Sequence, residues 1–357
     1  MNICILGQYP PQVGGIATYT KQLEDELRSR GHNVYILTYA QNCPRKDNVF
    51  EANVINIPLL RGISFTISSY KLLKRIVKEY NIDVIHANYI IPPGLVASLI
   101  KDSHVKIVIT AHGSDINILS TNMITKQLIK RTLKRADEVY FVSEKLEEKA
   151  LQIGIPGLKE KSSITPNTVN TEKFKPIIPD KKTLNKKYNM PIVMFIGNLV
   201  EQKGLEYLLE AKKISETEYT LLIYGDGPEH DKLSNIIREN NIQDTYLMGK
   251  TMEPEKIIPE SDIMVLPSVS EGASIVALES MSCGKPLIST DTGNIRTTIT
   301  NNTNGIIVPT RNPTKLSHAI DNLIEDKTRR EEIGKNARKR IIEKYSKMNI
   351  PYINNIK

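Results

Sequence analysis

With 357 residues, 40% of them apolar and 25% charged, the chain has ordinary globular composition; it is too apolar for disorder and long enough for two domains. No apolar run reaches the roughly 20 residues of a membrane-spanning helix, and Cys4, Cys43 and Cys283 form no CxxC pair, which argues against a disulfide framework or a cysteine-held metal. The formal net charge is +8, of which residues 1–175 carry +7, so the first half is expected to favour an anionic partner over a purely solvated surface.

Nucleic acid is the poorer candidate for that partner. Zinc-finger, RRM and KH signatures are lacking, Trp is absent and aromatics make up only 6%. A phosphorylated substrate or an anionic membrane surface fits better. Met1 leads straight into an apolar strand without a basic n-region or cleavage site, so the expected location is cytoplasmic, with the inner face of the cell membrane as a place of peripheral contact.

Short apolar runs alternate with helical periodicities from end to end, the rhythm of parallel sheets with crossover helices. Ile3 to Leu6 reads as the first strand, and a loop with Pro10, Pro11 and Gly14-Gly15 follows. Ile16, Tyr19, Leu23 and Leu27 then mark one helix face as far as Gly31. A Gly-Gly turn before a helix N-terminus lets backbone NH groups approach a phosphate, although it also serves as a plain strand-to-helix turn. Val34 to Thr38, Val84 to His86 and Lys106 to Thr110 are further strands, and the last runs into Ala111-His112-Gly113-Ser114-Asp115. A histidine just past a strand end suits a ligand as well as a structural role. Between Met123 and Arg135, apolar and basic residues alternate at helical spacing, the pattern of a surface helix packed on its own sheet or of one lying on a membrane.

Val139 to Val142 and Ile164 to Val169, the latter holding Pro166-Asn167, close the first half. The proline- and lysine-rich stretch 171–190 reads as a linker. Strands resume at Ile192 to Ile196, Thr220 to Tyr224, Tyr246 to Met248 and Ile263 to Leu266, each of the first two ending in a glycine turn: Gly197-Asn198, then Gly225-Asp226-Gly227-Pro228. Lys203-Gly204 stands at a helix start, where the lysine can meet a diphosphate or simply be solvated. After the next strand comes EGASIVALESMSCGKPLISTDTG, Glu271 to Gly293. Glu279 falls on an otherwise apolar helix that Gly284 and Pro286 terminate, so its charge needs a partner. Leu287 to Ser289 and Gly305 to Val308 are the remaining strands, and Thr314 to Glu325 and Thr328 to Lys344 the closing helices. The fold class implied is α/β, two Rossmann-like doubly wound domains whose glycine-capped strand ends face a cleft.

In this order and spacing the motifs resemble the retaining glycosyltransferases of the GT-B fold, most closely glycosyltransferase family 4. The resemblance rests on Gly14-Gly15, on Gly31 to Val34, on His112-Gly113, on Pro166-Asn167, on GNLVEQKG at Gly197 to Gly204, on GDGP at Gly225, on the E-x7-E pair Glu271 and Glu279, and on NGIIVP at Asn304 to Pro309. It implies an acceptor-binding domain at 1–170, the linker at 171–190, a donor domain at 191–344 and a tail at 345–357 crossing back to the first domain.

It further implies a hexosyltransferase that moves a hexose or N-acetylhexosamine, with retention, from a nucleotide-diphosphate sugar to a glycan, lipid-linked or polysaccharide-precursor acceptor. The nucleotide sugar is a co-substrate, and neither a cofactor nor a metal is implied. Catalytic roles fall to Glu271, His112 and Lys203. Donor contacts fall to Gly15, Asn198, Lys203, Gly225, Gly272, Ala273, Ser274, Ile275, Val276 and Glu279. Within these, Glu279 would accept from the ribose hydroxyls, Glu271 would meet the sugar, and Lys203 would stabilise the departing diphosphate. Asn198 stands where many members have arginine, and Thr168 where glycine is common. Against this reading stand a paired-Rossmann oxidoreductase, which the lack of GxGxxG disfavours, and a catalytically weak nucleotide-sugar-binding subunit of the same fold.

Overall fold

The computed structural model describes all residues except 13, 41–46, 56, 58–59, 101, 103, 118–121, 178–182 and 355–357; Cys43 and part of the stretch 171–190 lie outside the described residues. The chain divides into two compact units, Met1–Asn167 together with Met348–Lys357, and Thr168–Lys347.

In the first unit, seven parallel strands are seen among the described residues: β1 (Asn2–Leu6), β2 (Asn33–Tyr39), β3 (Val49–Ala52), β4 (Val84–Asn88), β5 (Lys106–Ala111), β6 (Glu138–Phe141) and β7 (Ser162–Ile164). They lie in the order β3-β2-β1-β4-β5-β6-β7. Because β1 and β4 are neighbours while the chain winds outward from each, the order reverses between them, and loops on either side of that point diverge to leave room for a ligand. The central strands are buried on both faces, as the pattern of β4 shows, which is why they read as continuous apolar runs.

Helix α1 (Gly15–Ser29) packs Tyr19, Leu23 and Leu27 inward and ends as its sequence dictates. Gly31 has φ of +82°, and the Gly31 amide donates to Arg28 while that of His32 donates to Leu27, the paired bonds of a Schellman motif. Helix α2 (Leu60–Glu79) and the edge strand β3 were not legible in the sequence. Helix α3 (Met123–Arg135) buries Ile129, Thr132 and Leu133, yet Met123 and Ile124 remain 80% and 73% exposed.

The expected strand at Ile164 to Val169 is corrected. Pairing with β6 covers only Ser162–Ile164. Thr165, Asn167, Thr168 and Val169 are buried but follow no sheet, and the Val169 amide donates to the Tyr345 carbonyl. Burial of a chain passage mimics the apolar signature of a strand.

The second unit repeats the plan. Among the described residues its sheet has six parallel strands, β8 (Ile192–Ile196), β9 (Thr220–Tyr224), β10 (Thr245–Gly249), β11 (Ile263–Leu266), β12 (Leu287–Thr290) and β13 (Ile306–Val308), in the order β10-β9-β8-β11-β12-β13. The reversal now lies between β8 and β11. Helix α4 (Leu205–Ile214) follows β8, helix α5 (Ile275–Ser282) follows β11, and helices α6 (Pro313–Glu325) and α7 (Lys327–Lys344) close the unit. Leu184–Tyr188, within the stretch read as a linker, is helical. Among the described residues no helix is long and apolar enough to cross a membrane.

Candidate active site

In the second unit the sequence-predicted residues gather at the carboxyl ends of β8, β9 and β11, on both sides of the strand-order reversal. Asn198 lies just past β8 and is exposed. Gly225, just past β9, is there for space: a Cβ on it would stand 1.8 Å from the Gly197 carbonyl oxygen, and its φ is +153°. The backbones of the β8 and β9 loops therefore meet at a distance only glycine allows. The Gly225 amide donates to the Gly249 carbonyl at 2.8 Å. Beside it, Lys250 pairs with Asp226 at 3.2 Å, both exposed.

The stretch after β11 contains the centre of charge. Ser274 caps α5, its hydroxyl accepting from the Ala277 amide at 3.3 Å. Gly272 and Ala273 precede that cap, and Ile275 and Val276 form the first turn, whose NH groups have no acceptor within the helix and carry the positive end of its dipole. Gly293 holds the loop in place, because a Cβ there would stand 2.1 Å from the Gly272 carbonyl oxygen. Glu271 precedes the helix and its cap. Its carboxylate is half-buried and ion-paired with Lys203, with the Ser268 hydroxyl 3.5 Å away. Lys203 ends the 3-10 turn Glu201–Lys203, and Gly204, at φ +63°, turns the chain into α4. The two residues expected to meet sugar and diphosphate separately thus neutralise one another in the free protein.

Glu279 is different. It is 4% exposed on the inner face of α5, and its carboxylate has no hydrogen-bond partner among the described residues. Burial raises its pKa to about 7, against a lowering by Lys173, while Glu255 raises it further. Lys173 and Glu255 are themselves 3.4 Å apart. Neither was singled out in the sequence: Lys173 sits in a lysine-rich stretch that reads as a solvated linker. Helix α5 ends as expected, with Gly284 at φ +69° and the Gly284 and Lys285 amides donating to Met281 and Ser280.

In the first unit, Gly14 (φ +148°) precedes Gly15, the first residue of α1, next to the strand-order reversal. His112 follows β5. The two are brought together by Tyr19, one turn into α1, whose ring meets the His112 imidazole edge-on with centroids 4.7 Å apart. Burial lowers the His112 pKa to about 3, so the ring is neutral, and its buried Nε2 has no partner among the described residues. The loop is held from below by Asp115, fully buried, which accepts from the Gly113 amide at 2.9 Å and the His112 amide at 3.2 Å. Desolvation outweighs those bonds and raises the Asp115 pKa to about 6. Among the described residues no group of three or more His, Cys, Asp or Glu side chains is placed to hold a metal.

Two Rossmann-ordered parallel sheets, each with a strand-order reversal that leaves room for a ligand at its strand ends, define an α/β protein of two doubly wound units. Residues 13–173 match the family model described as Glycosyltransferase Family 4, and residues 176–340 the one described as Glycosyl transferases group 1. The chain belongs to this glycosyltransferase family, and its two units have the GT-B fold. Among curated proteins it is 29% identical to an uncharacterized glycosyltransferase of Methanocaldococcus jannaschii, over 95% of this chain and 92% of that one. It is 27% identical to the N-acetyl-alpha-D-glucosaminyl L-malate synthase of Bacillus anthracis, over 94% and 91%. Among solved structures, Anabaena Alr3699/HepE in complex with UDP-glucose superposes with a TM-score of 0.81 at 19% identity, covering 97% of this chain and 95% of that one.

Proposed function

We propose that the protein transfers a hexose or N-acetylhexosamine, with retention and without a divalent metal, from a nucleotide-diphosphate sugar to a glycan, lipid-linked or polysaccharide-precursor acceptor. One observation carries this reading: Glu279, a buried carboxylate with no hydrogen-bond partner among the described residues, lies on the helix that follows the loop holding Glu271, which is ion-paired with Lys203. A nucleotide sugar satisfies both. Its ribose hydroxyls donate to Glu279, which supplies the bonds the buried charge lacks. Its diphosphate draws Lys203 away from Glu271, releasing the carboxylate to accept from the sugar hydroxyls. The first-turn NH groups of Ile275 and Val276, with Gly272 to Ser274, then face the phosphates and sugar, and Asn198 and Gly225 border the diphosphate.

As the glycosidic bond breaks, negative charge grows on the departing diphosphate, and Lys203 with the α5 dipole stabilises it. The neutral His112 offers Nε2 to a sugar hydroxyl, and Gly15 approaches phosphate or acceptor. Support for the donor class comes from the relative named for an N-acetylglucosaminyl product and from the structural neighbour bound to UDP-glucose. The basic helix α3, with Met123 and Ile124 exposed, is read as the peripheral contact with anionic lipid at the inner face of the cell membrane.

The test is a panel of UDP-, GDP- and ADP-sugars incubated with membrane extract, measuring free nucleotide and labelled glycan. Turnover of at least one donor is expected. Tight nucleotide binding without turnover of any donor would instead support a binding subunit of the same fold.

A further inference from the structure

In the first unit, polar side chains far apart in the chain meet in a row. The chain returns to this unit through Met348–Lys357, and the Arg30 guanidinium anchors the returning segment on the Met348 carbonyl at 3.1 Å. Tyr352 in the short helix Pro351–Asn354 is thereby placed in the core, 2% exposed. Its amide donates to the Tyr140 hydroxyl at 3.0 Å, and Tyr140 in turn donates to Glu138. The two tyrosine rings stack at 6.3 Å.

The Tyr352 hydroxyl is 3.1 Å from Nδ1 of His86, whose Nε2 is 2.7 Å from the Thr110 hydroxyl. His86 is 1% exposed, and burial together with the nearness of His112 lowers its pKa to about 3. The imidazole is therefore neutral and carries one proton. Which nitrogen holds it follows from the partners. Tyr352 has no other acceptor among the described residues, so its hydroxyl donates to Nδ1, the proton stays on Nε2, and Nε2 donates to Thr110. The Thr110 hydroxyl hydrogen is left free to point at the Tyr19 phenol, beside which it lies. Tyr19 is the ring that backs His112 at 4.7 Å.

We propose that Tyr352, delivered by the C-terminal return of the chain, is a positioning residue for His112. It acts through the row His86, Thr110 and Tyr19, fixing the His86 tautomer and through it the ring that holds the His112 imidazole. This rests on the assignment of His112 to the transferred sugar. It makes the short helix Pro351–Asn354 a component of the sugar site rather than a mere strap.

The experiment uses the full chain. Tyr352→Phe keeps the stacking on Tyr140 and removes only the hydroxyl, and Thr110→Val breaks the same row at its middle. Side-chain nitrogen-proton NMR of the histidines is expected to show His86 protonated at Nε2 in the wild type, and in both variants a displaced His112 resonance. With the best donor of the UDP-, GDP- and ADP-sugar panel, each variant is expected to lower kcat about threefold, less than the loss of His112 itself, and leave the donor KM within about twofold. In a His112→Ala background, Tyr352→Phe is expected to have no further effect. Unmoved His112 resonances in both variants would overturn the proposal, as would losses that multiply in the double variant. If His112→Ala keeps full turnover while Tyr352→Phe still displaces His112, the sugar assignment falls and the positioning row stands.

Discussion

The candidate sites of the two units handle charge in opposite ways. At the carboxyl ends of β8 and β11 the functional groups are ionic: Lys203 against Glu271, and Glu279 buried with Lys173 and Glu255 within electrostatic reach. At the ends of β1 and β5 the groups are a neutral buried imidazole whose Nε2 has no partner among the described residues, a tyrosine ring and a glycine turn, with the one carboxyl, Asp115, committed to the loop's own amides. The surplus of positive charge in residues 1–175 is thus not at the His112 site. Part of it lies on α3, where Arg131, Lys134 and Arg135 are exposed. The difference teaches that the same strand order supports an ionic and a largely uncharged site, in the proposed function one for a diphosphate and one for hydroxyl groups, because the sheet supplies only the position and the loops supply the chemistry.

Removing the ionic part should have the largest effect. Lys203→Ala is expected to lower kcat by about 100-fold or more, as for loss of a group that stabilises charge in the transition state. Nucleotide release with the best donor checks this, and a loss under about threefold would break the contrast between the two sites. Glu279→Ala is expected to weaken nucleotide binding by about tenfold to 100-fold, the worth of hydrogen bonds to a charged acceptor, whereas Glu271→Ala should act mainly on turnover. Calorimetric titration with nucleotide separates them.

Glu279 also sets a pH signature. Its folded pKa of about 7 lies above the ordinary 4.5, so between those values the folded state binds more protons than the unfolded one. The contribution of this group to stability therefore falls as pH rises through that window. Ligand binding runs the other way, since the ionised form is the better acceptor: nucleotide affinity is expected to rise from pH 6 to pH 8. In Glu279→Gln both trends should flatten, and equal slopes in variant and wild type would remove the ribose assignment.

Effects on the neutral site should be smaller. His112→Ala removes one neutral hydrogen bond to a hydroxyl, about 1 kcal/mol, and is expected to reduce turnover by about fivefold with little change in nucleotide affinity. A loss as large as that of Lys203→Ala would show that charge, not hydroxyl recognition, is managed there as well. The smallest effect is expected on α3: replacing Met123 and Ile124 together by serine should lower co-sedimentation with phosphatidylserine vesicles by about threefold and leave donor turnover in solution unchanged.

Much of this was legible in the chain because its signals are local. Gly31 and Gly284 announced helix ends, and both form Schellman caps; apolar runs buried on both faces announced β8, β9 and β11 at their observed limits. The α2 helix escaped because Ile63 and Ile67 face solvent, 59% and 58% exposed, and blur its apolar stripe. β3 escaped because an edge strand buries little: three of its four residues are only half-buried.

What the sequence determined by itself is the set of loop-and-helix starts where a phosphorylated ligand can be held, and the placement of Glu279 on an apolar helix, since capping, periodicity and glycine turns act over a few residues. Only tertiary structure decided who partners whom. Lys203 and Glu271 are 68 positions apart in the chain and His86 and Tyr352 are 266 apart, and no local preference links them. Whether a charge is neutralised, a carboxyl raised to about 7 or an imidazole given one tautomer depends on what the fold brings within a few ångströms and how much water it removes.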